Sequence, residues 1–240
     1  MSMMQRILQK AKSESRAARI AFLGDSVTQG CFEIYQDSTG RICPVTEGEQ
    51  GYVQRLFQKL SALYPGEKFE MHNAGISGDR APGGLKRLER DVLAHRPDLT
   101  VVCYGLNDCS NADESVARYV NALEAIFTAL RSGGSEVLFM TPNTMNFYVS
   151  DQIENEAIRE VAARHMRLQT EGAMDRHIEA AVALCKEMQV RVCDCYACWQ
   201  AMREDGVDTT ALLSNYINHP TREMHELFAI KLAEALFAGE

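Results

Sequence analysis

A serine and a histidine that lie far apart in this chain are the side chains best suited to act together in catalysis. Ser26 ends the sequence Gly24-Asp25-Ser26, directly after a short apolar run, and His219 lies in Asn218-His219-Pro220, just before the last helical pattern. A serine hydroxyl becomes a good nucleophile when a base accepts its proton, and histidine is the usual base because its pKa lies near neutrality. The pair predicts acyl transfer through a covalent serine intermediate, although Gly-Asp-Ser alone would suit any turn.

Two further segments carry groups suited to the same reaction. Gly78 belongs to the stretch 73–79, and Asn107 belongs to Gly105-Leu106-Asn107-Asp108. The tetrahedral intermediate of acyl transfer carries a negative oxygen, and losing one preorganised donor to it typically costs ~3 kcal/mol. The backbone N–H groups of Ser26 and Gly78 and the side-chain amide of Asn107 could supply three donors. The missing Cβ of Gly78 would let its N–H approach a ligand closely.

Apolar runs that alternate with helical patterns must bring these residues together. The strand-like runs cover 19–24, 68–73, 98–104, 136–140 and 190–194. Helical spacing marks 51–63, 85–94, 116–130, 153–188 with a break near Gly172, and 222–237. This alternation predicts an α/β fold with helices on both faces of a parallel sheet. Because the carboxyl ends of parallel strands meet at one edge, Ser26, Gly78, Asn107 and His219 are expected to converge on one crevice.

One domain is expected over residues 1–240, with residues 1–18 as an N-terminal helical extension, because no segment has the composition of a linker. The segments 31–50 and 143–152 are longer than a bare fold needs, and both follow strand ends. They are expected as loops around the mouth of the site.

Composition excludes several classes of function. The net charge of −8, with no dense basic cluster, argues against nucleic acid as a partner, which needs Lys and Arg to neutralise phosphates. The N-terminus lacks the apolar stretch of a signal peptide, and no run approaches the ~20 apolar residues of a membrane span. Eight scattered cysteines are then expected as reduced thiols in a cytoplasmic protein. No membrane partner is expected.

Four blocks in order, at Gly24-Asp25-Ser26, Gly78, Gly105-Leu106-Asn107-Asp108 and His219-Pro220, resemble the signature blocks of the SGNH hydrolases, also called the GDSL esterase/lipase superfamily. The resemblance runs from about residue 20 to residue 229. It implies a flavodoxin-like α/β/α fold with a doubly wound sheet of about five parallel strands. It also implies a nucleophile at Ser26, oxyanion donors at Ser26, Gly78 and Asn107, and a general base at His219. Members of the family hydrolyse esters or thioesters, often acetyl groups on carbohydrates, without a metal or other cofactor.

One position departs from the family pattern. The family usually carries an aspartate three residues before the histidine, where it orients the imidazole, but this chain has Tyr216 there. An amide oxygen of Asn215 or Asn218 is the expected replacement, although it would stabilise an imidazolium less than a carboxylate does. Asp205 and Asp208 are alternatives that could reach the site from the preceding loop.

Two other motifs favour packing over chemistry. Cys193, Cys195 and Cys198 have a spacing that zinc ligands can show, but Cys193 continues a strand pattern and free cysteine behaves as a small buried apolar residue, so no metal is expected. His225 follows His219 by six residues, inside the last helical pattern, and a surface or packing role is expected for it.

The sequence favours a serine esterase that acts on a small molecule, with a short acyl group on a polar carrier, since the two long segments are mixed rather than apolar. Two alternatives stay open. The same site could serve a thioesterase or an acyltransferase. The chain could instead be a binding module whose site has decayed with the loss of the aspartate.

Overall fold

The computed structural model describes residues 1–110 and 113–239 of the chain. Five parallel strands form the central sheet in the order β4-β1-β5-β6-β7. Their bounds are Ala18–Gly24 (β1), Phe69–Gly75 (β4), Leu99–Cys103 (β5), Glu136–Met140 (β6) and Arg191–Cys193 (β7). All five strands were predicted, within a few residues at their ends. The order reverses between β1 and β5, as in flavodoxin-like folds, whose ligands bind beyond the carboxyl ends of the strands at this point.

Alternate residues of each strand face opposite layers of helices. In β1, Ile20 and Phe22 pack into one apolar cluster, and Ala21 and Leu23 pack into a second cluster on the other face. The three central strands, β1, β5 and β6, are buried on both faces because helices cover each side of a parallel sheet. The predicted three-layer α/β/α architecture is confirmed.

The described residues contain nine α-helices, which form a layer on each face of the sheet. Their bounds are Met3–Ser13 (α1), Ser26–Gln29 (α2), Tyr52–Leu63 (α3), Ala81–Asp91 (α4), Asp113–Ser132 (α5), Glu156–Thr170 (α6), Ala173–Glu187 (α7), Cys195–Glu204 (α8) and Arg222–Phe237 (α9). The predicted break in 153–188 falls at Gly172, whose φ of +73° is a left-handed conformation that favours glycine. None of the helices in the described ranges combines the length and apolar character that a membrane crossing requires.

The helix within the predicted N-terminal extension, α1, packs against the domain. Its residues Met3, Met4, Ile7 and Leu8 are buried in the first apolar cluster, together with residues of α3 and α9. Residues 1–18 therefore contribute to the core.

A two-stranded hairpin occupies much of the segment 31–50, which the sequence predicted as a loop. Its antiparallel strands are Cys31–Gln36 (β2) and Ile42–Thr46 (β3). The pattern was missed because β3 contains Pro44 and the pairing shifts register between Cys31 and Ile34. Ile34 and Ile42 pack in a third apolar cluster with residues of 149–161, Tyr216 and Ile217. This packing joins the hairpin to the segment that carries His219.

Candidate active site

The ends of three neighbouring strands form the base of the site. Gly24 of β1 lies in register with Gly75 of β4 and with Cys103 of β5. The chain leaves Gly24 in a tight turn into the short helix α2, which begins at Ser26. A Cβ on Gly24 would lie 2.1 Å from the Thr28 hydroxyl oxygen and 2.7 Å from the carbonyl oxygen of Cys103, so only glycine fits this turn. Ser26 is thereby held at the point where the strand order reverses.

Ser26 and His219 are in direct contact, as expected for residues that converge on one crevice at the edge of the sheet. His219 Nε2 lies 2.9 Å from Ser26 Oγ, and His219 Nδ1 lies 2.7 Å from the carbonyl oxygen of Phe32 in β2. A carbonyl can only accept, so Nδ1 carries the proton and Nε2 has the lone pair that accepts from the serine hydroxyl. This is the tautomer that a general base needs.

The electrostatic environment keeps His219 neutral. Its side chain is almost fully buried, and this burial lowers the pKa of His219 to about 4, while the Phe32 carbonyl acts in the opposite direction. Desolvation disfavours the imidazolium, so at neutral pH the ring is free to accept a proton.

The structure corrects the expectation that an amide oxygen of Asn215 or Asn218 orients the imidazole. The Phe32 carbonyl takes the Nδ1 position instead. Asn215 Oδ1 accepts from the backbone N–H groups of Ile217, Asn218 and His219, each at 3.0 Å. Asn218 Oδ1 accepts from Asn215 Nδ2 at 3.1 Å. Asn215 and Asn218 therefore shape the turn that carries His219 and do not contact its ring.

Neither of the two alternative aspartates, Asp205 and Asp208, is seen to hydrogen-bond to His219. Asp208 accepts a hydrogen bond of 2.6 Å from the Tyr148 hydroxyl and further bonds from the backbone N–H groups of Thr210 and Ala211. Asp205 forms the C-terminal cap of α8. Neither side chain occupies the Nδ1 position of His219, which the Phe32 carbonyl fills.

The three expected oxyanion donors have hydrogen atoms to offer. The backbone N–H groups of Ser26 and Gly78 have no acceptor within the described parts of the chain. Asn107 Nδ2 donates one hydrogen to the carbonyl oxygen of Asp79 at 3.0 Å, which fixes the amide and leaves its second hydrogen for a ligand.

Gly78 is required for its backbone conformation. Its φ is +77°, a left-handed region, and a Cβ built there would meet nothing within 4 Å. Glycine is therefore favoured at position 78 for two reasons. It lets the N–H approach a ligand closely, and any other residue would be strained at this φ.

Arg87 of α4 is a structural residue of the site that the sequence analysis missed. Its guanidinium donates to the carbonyl oxygens of Gly24 and Ala74, to the Asp79 carboxylate and to the Tyr104 hydroxyl, at distances of 2.7 to 3.1 Å. It therefore joins the ends of β1 and β4 to the segment that carries Gly78. An arginine in an amphipathic helix gives no signal that separates this role from an exposed one.

Two buried carboxyl groups lie beneath the site. Burial raises the pKa of Asp25 and of Asp108 to about 7 each, and one oxygen of each has no partner in the described residues. Asp25 also accepts from the Val27 N–H at 3.0 Å, which caps α2.

The remaining motifs take part in packing. His225 is buried beside Phe32, Tyr52 and Phe228, and its Nδ1 accepts from the Tyr52 N–H at 3.1 Å. Cys193 and Cys195 are buried with their sulfur atoms 3.8 Å apart. No group of three or more His, Cys, Asp or Glu side chains suited to a metal ion occurs in the described residues.

Three features are those expected of an SGNH-type hydrolase. They are the five-stranded parallel sheet, the Ser26–His219 contact and the free hydrogen-bond donors. Residues 22–227 match the GDSL-like Lipase/Acylhydrolase family, and the chain belongs to that family. The resemblance inferred from the four sequence blocks is confirmed, as is the class of carboxylic ester hydrolase.

Comparisons with other proteins find similarity to two esterases and to an acylhydrolase. An acetylxylan esterase of Geobacillus stearothermophilus is 34% identical over 95 residues, which cover 38% of this chain and 39% of that protein. The crystal structure of Axe2, an acetylxylan esterase from the same organism, superposes with a TM-score of 0.67 at 19% identity, over 92% of this chain and 95% of that one. A lipase/acylhydrolase from Enterococcus faecalis superposes with a TM-score of 0.64 at 24% identity, over 90% and 94% of the two chains. The solved structures share the fold of this chain.

Proposed function

We propose that this protein is a serine esterase that hydrolyses short acyl esters, such as acetyl esters, on a polar or carbohydrate carrier. The observation that carries the proposal is the 2.9 Å contact between His219 Nε2 and Ser26 Oγ. A buried, neutral histidine on a serine hydroxyl is the arrangement that activates a serine nucleophile. The N–H groups of Ser26 and Gly78, which have no acceptor in the described residues, support the same reaction.

In the proposed reaction, Ser26 Oγ attacks the ester carbonyl while His219 Nε2 takes its proton. The oxyanion accepts hydrogen bonds from the N–H groups of Ser26 and Gly78 and from the free amide hydrogen of Asn107. The imidazolium, its Nδ1–H bonded to Phe32, then donates the proton to the leaving alcohol. Water, deprotonated by His219, attacks the acyl-enzyme, and collapse of the second intermediate releases the acid and restores Ser26.

Two observations support a short acyl group on a polar carrier. Three apolar residues of the two long segments, Ile34, Ile42 and Val149, pack in the third apolar cluster. They are thus used in packing, whereas a long lipid chain would need them to line a broad groove. The name of the Geobacillus stearothermophilus relative, an acetylxylan esterase, supports an acetylated sugar as the carrier.

A substrate panel tests this proposal. Wild-type protein and the Ser26→Ala variant are assayed on p-nitrophenyl acetate, p-nitrophenyl octanoate, acetylated xylo-oligosaccharide and acetyl-CoA, with and without an acceptor sugar. We expect wild type to release acetate from the acetyl esters, to prefer them to octanoate, and to lose about 10³-fold or more of its rate in the variant. Equal rates in the two proteins would overturn the proposal. Faster turnover of acetyl-CoA than of oxygen esters would replace it with a thioesterase or a transferase.

A further inference from the structure

The oxygen that orients the imidazole belongs to the main chain of a hairpin, so something must hold that hairpin in place. A carboxylate side chain can adjust to the ring, whereas the Phe32 carbonyl moves only when β2 moves. The hairpin lies outside the central sheet and pairs only β2 with β3 in the described residues. Its contacts with the rest of the protein therefore decide whether the 2.7 Å distance to His219 Nδ1 is kept.

Arg222 contacts the hairpin on both sides of its ends, close to Phe32. Its guanidinium donates to both carboxylate oxygens of Glu33, at 2.7 and 3.1 Å, and to both carboxylate oxygens of Glu47, at 2.9 and 2.7 Å. Glu33 follows Phe32 in the chain, and Glu47 directly follows β3. The guanidinium carbon also lies 4.3 Å above the centre of the Phe32 ring, within the range of a cation–π contact.

Arg222 is at the same time tied to the histidine. It is the first residue of α9 and lies three positions after His219. The Arg222 ion-pair cluster, formed by Arg222, Glu33 and Glu47, therefore links the segment that carries the imidazole to both strands of the hairpin that carries its acceptor. Bidentate pairs of arginine with carboxylates fix geometry as well as distance.

We infer that Arg222 is a positioning residue, which holds the Phe32 carbonyl on His219 Nδ1 through its ion pairs with Glu33 and Glu47. The inference rests on the proposed role of His219 as general base. Two parts of this chain then replace the aspartate that usually orients the imidazole in this family. The Phe32 carbonyl accepts the hydrogen bond, and the ion-pair cluster sets the geometry.

The charge of the cluster also suits this role. Two carboxylates share one guanidinium, so the cluster carries a net negative charge, and Glu33 acts on His219 in the direction that raises the pKa of the ring. The same ion pairs lower the pKa of Glu33 and of Glu47, chiefly through their hydrogen bonds to Arg222. The cluster thus stays charged at neutral pH and favours the imidazolium that forms during turnover.

Arg222→Met, which removes the ion pairs but keeps an unbranched chain, tests the inference. The control is Arg6→Met, which removes a bidentate pair with Glu136 whose side chains are each 28% exposed, at the opposite edge of the sheet. We expect Arg222→Met to lower kcat by about 10²-fold with little change in KM, as misplacement of a catalytic group by about 1 Å does. Arg222→Lys is expected to restore part of the rate, and Arg6→Met to leave kcat unchanged.

A proton NMR spectrum supplies a readout that does not depend on turnover. The Nδ1–H of His219, hydrogen-bonded to a carbonyl and shielded from water, is expected as a downfield signal that His219→Ala abolishes. Arg222→Met is expected to shift or broaden this signal, and Arg6→Met is not. An unchanged signal together with a kcat equal to that of Arg6→Met would overturn the inference.

Two further outcomes keep the test decisive. If Arg222→Met does not fold, the double variant Glu33→Gln with Glu47→Gln removes the same two ion pairs from the carboxylate side with isosteric side chains, and it is expected to shift or broaden the signal and to lower the rate. If wild type neither turns over esters nor reacts at Ser26, the proposed function fails, while the NMR comparison still decides whether Arg222 holds the Phe32 carbonyl on the ring.

Discussion

The carbonyl oxygen of Phe32 lies 2.7 Å from His219 Nδ1, so a main-chain oxygen fills the position that an aspartate usually occupies in this family. The carbonyl fixes the tautomer of the imidazole as an aspartate would, but it brings no formal charge. The site is therefore assembled although position 216 is a tyrosine and not an aspartate. The serine, the histidine and an acceptor for Nδ1 are all in place.

Restoring the aspartate should bring no gain. In Tyr216→Asp we expect kcat to be unchanged or lower, because Nδ1–H is already bonded to Phe32. Tyr216 has a φ of +54°, a conformation that aspartate and asparagine tolerate better than tyrosine does. The uncharged control Tyr216→Asn should behave in the same way. A rise of about tenfold in kcat, equivalent to about 1.4 kcal/mol of barrier, in the aspartate variant alone would contradict this account of the site.

Residue types and spacing predicted the parts of the site that depend on side chains. Ser26, His219 and Asn107 could be found because each has a reactive or polar group just beyond a strand or helix boundary. The central strands β1, β5 and β6 could be found because burial on both faces gives near-continuous apolar runs.

Parts of the site that depend on the main chain or on tertiary contacts could not be found in this way. Every residue has a carbonyl, so nothing in the sequence distinguishes that of Phe32. The role of Arg87 depends on four acceptors that are brought together only by folding. The hairpin was missed for a related reason, since its strands are held by contacts with distant segments rather than by a strong local pattern.

The pH dependence of turnover should reflect the burial of His219. Burial lowers the pKa of His219 to about 4, and an ordinary histidine has a pKa near 6.5. Because the neutral ring is the active base, we expect kcat/KM to rise with pH through about 4 and to be level by about 6. A profile with its midpoint at about 6.5 would show that the ring is solvated as in a free histidine.

The same shift has a consequence for stability. Between pH 6.5 and about 4 the unfolded chain binds a proton at His219 that the folded protein does not. Protonation of the unfolded chain favours unfolding, so the free energy of unfolding should decrease as the pH falls from 6.5 to about 4. Far-UV circular dichroism at each pH separates lost activity from lost structure.

Removing one oxyanion donor should affect the rate more than binding. In Asn107→Ala we expect kcat to fall by about 10²–10³-fold with a nearly constant KM, because the amide meets the oxygen only after it becomes an anion. Steady-state kinetics on p-nitrophenyl acetate measure both constants. A change confined to KM would mean that Asn107 binds the substrate and the transition state equally and is not a specific oxyanion donor.

Arg87 should be essential to the stability of the site. Arg87→Met removes the guanidinium that donates to the Asp79 carboxylate and to the carbonyl oxygens of Gly24 and Ala74, and we expect a loss of about 3 kcal/mol or more in the free energy of unfolding. The matched control on the same helix is Arg90→Met, since Arg90 is 77% exposed and pairs only with Asp91 among the described residues. Urea unfolding compares the two, and equal stabilities would refute the role given to Arg87.

The most direct test of the central claim is to trap the nucleophile. Folded wild-type protein is treated with a fluorophosphonate, digested, and analysed by mass spectrometry, with Ser26→Ala and His219→Ala treated in parallel. We expect a single adduct on the peptide that contains Ser26, no adduct in Ser26→Ala, and a much slower reaction in His219→Ala. The absence of an adduct in wild type, or an adduct on a different serine, would contradict the assignment of Ser26 as a nucleophile activated by His219.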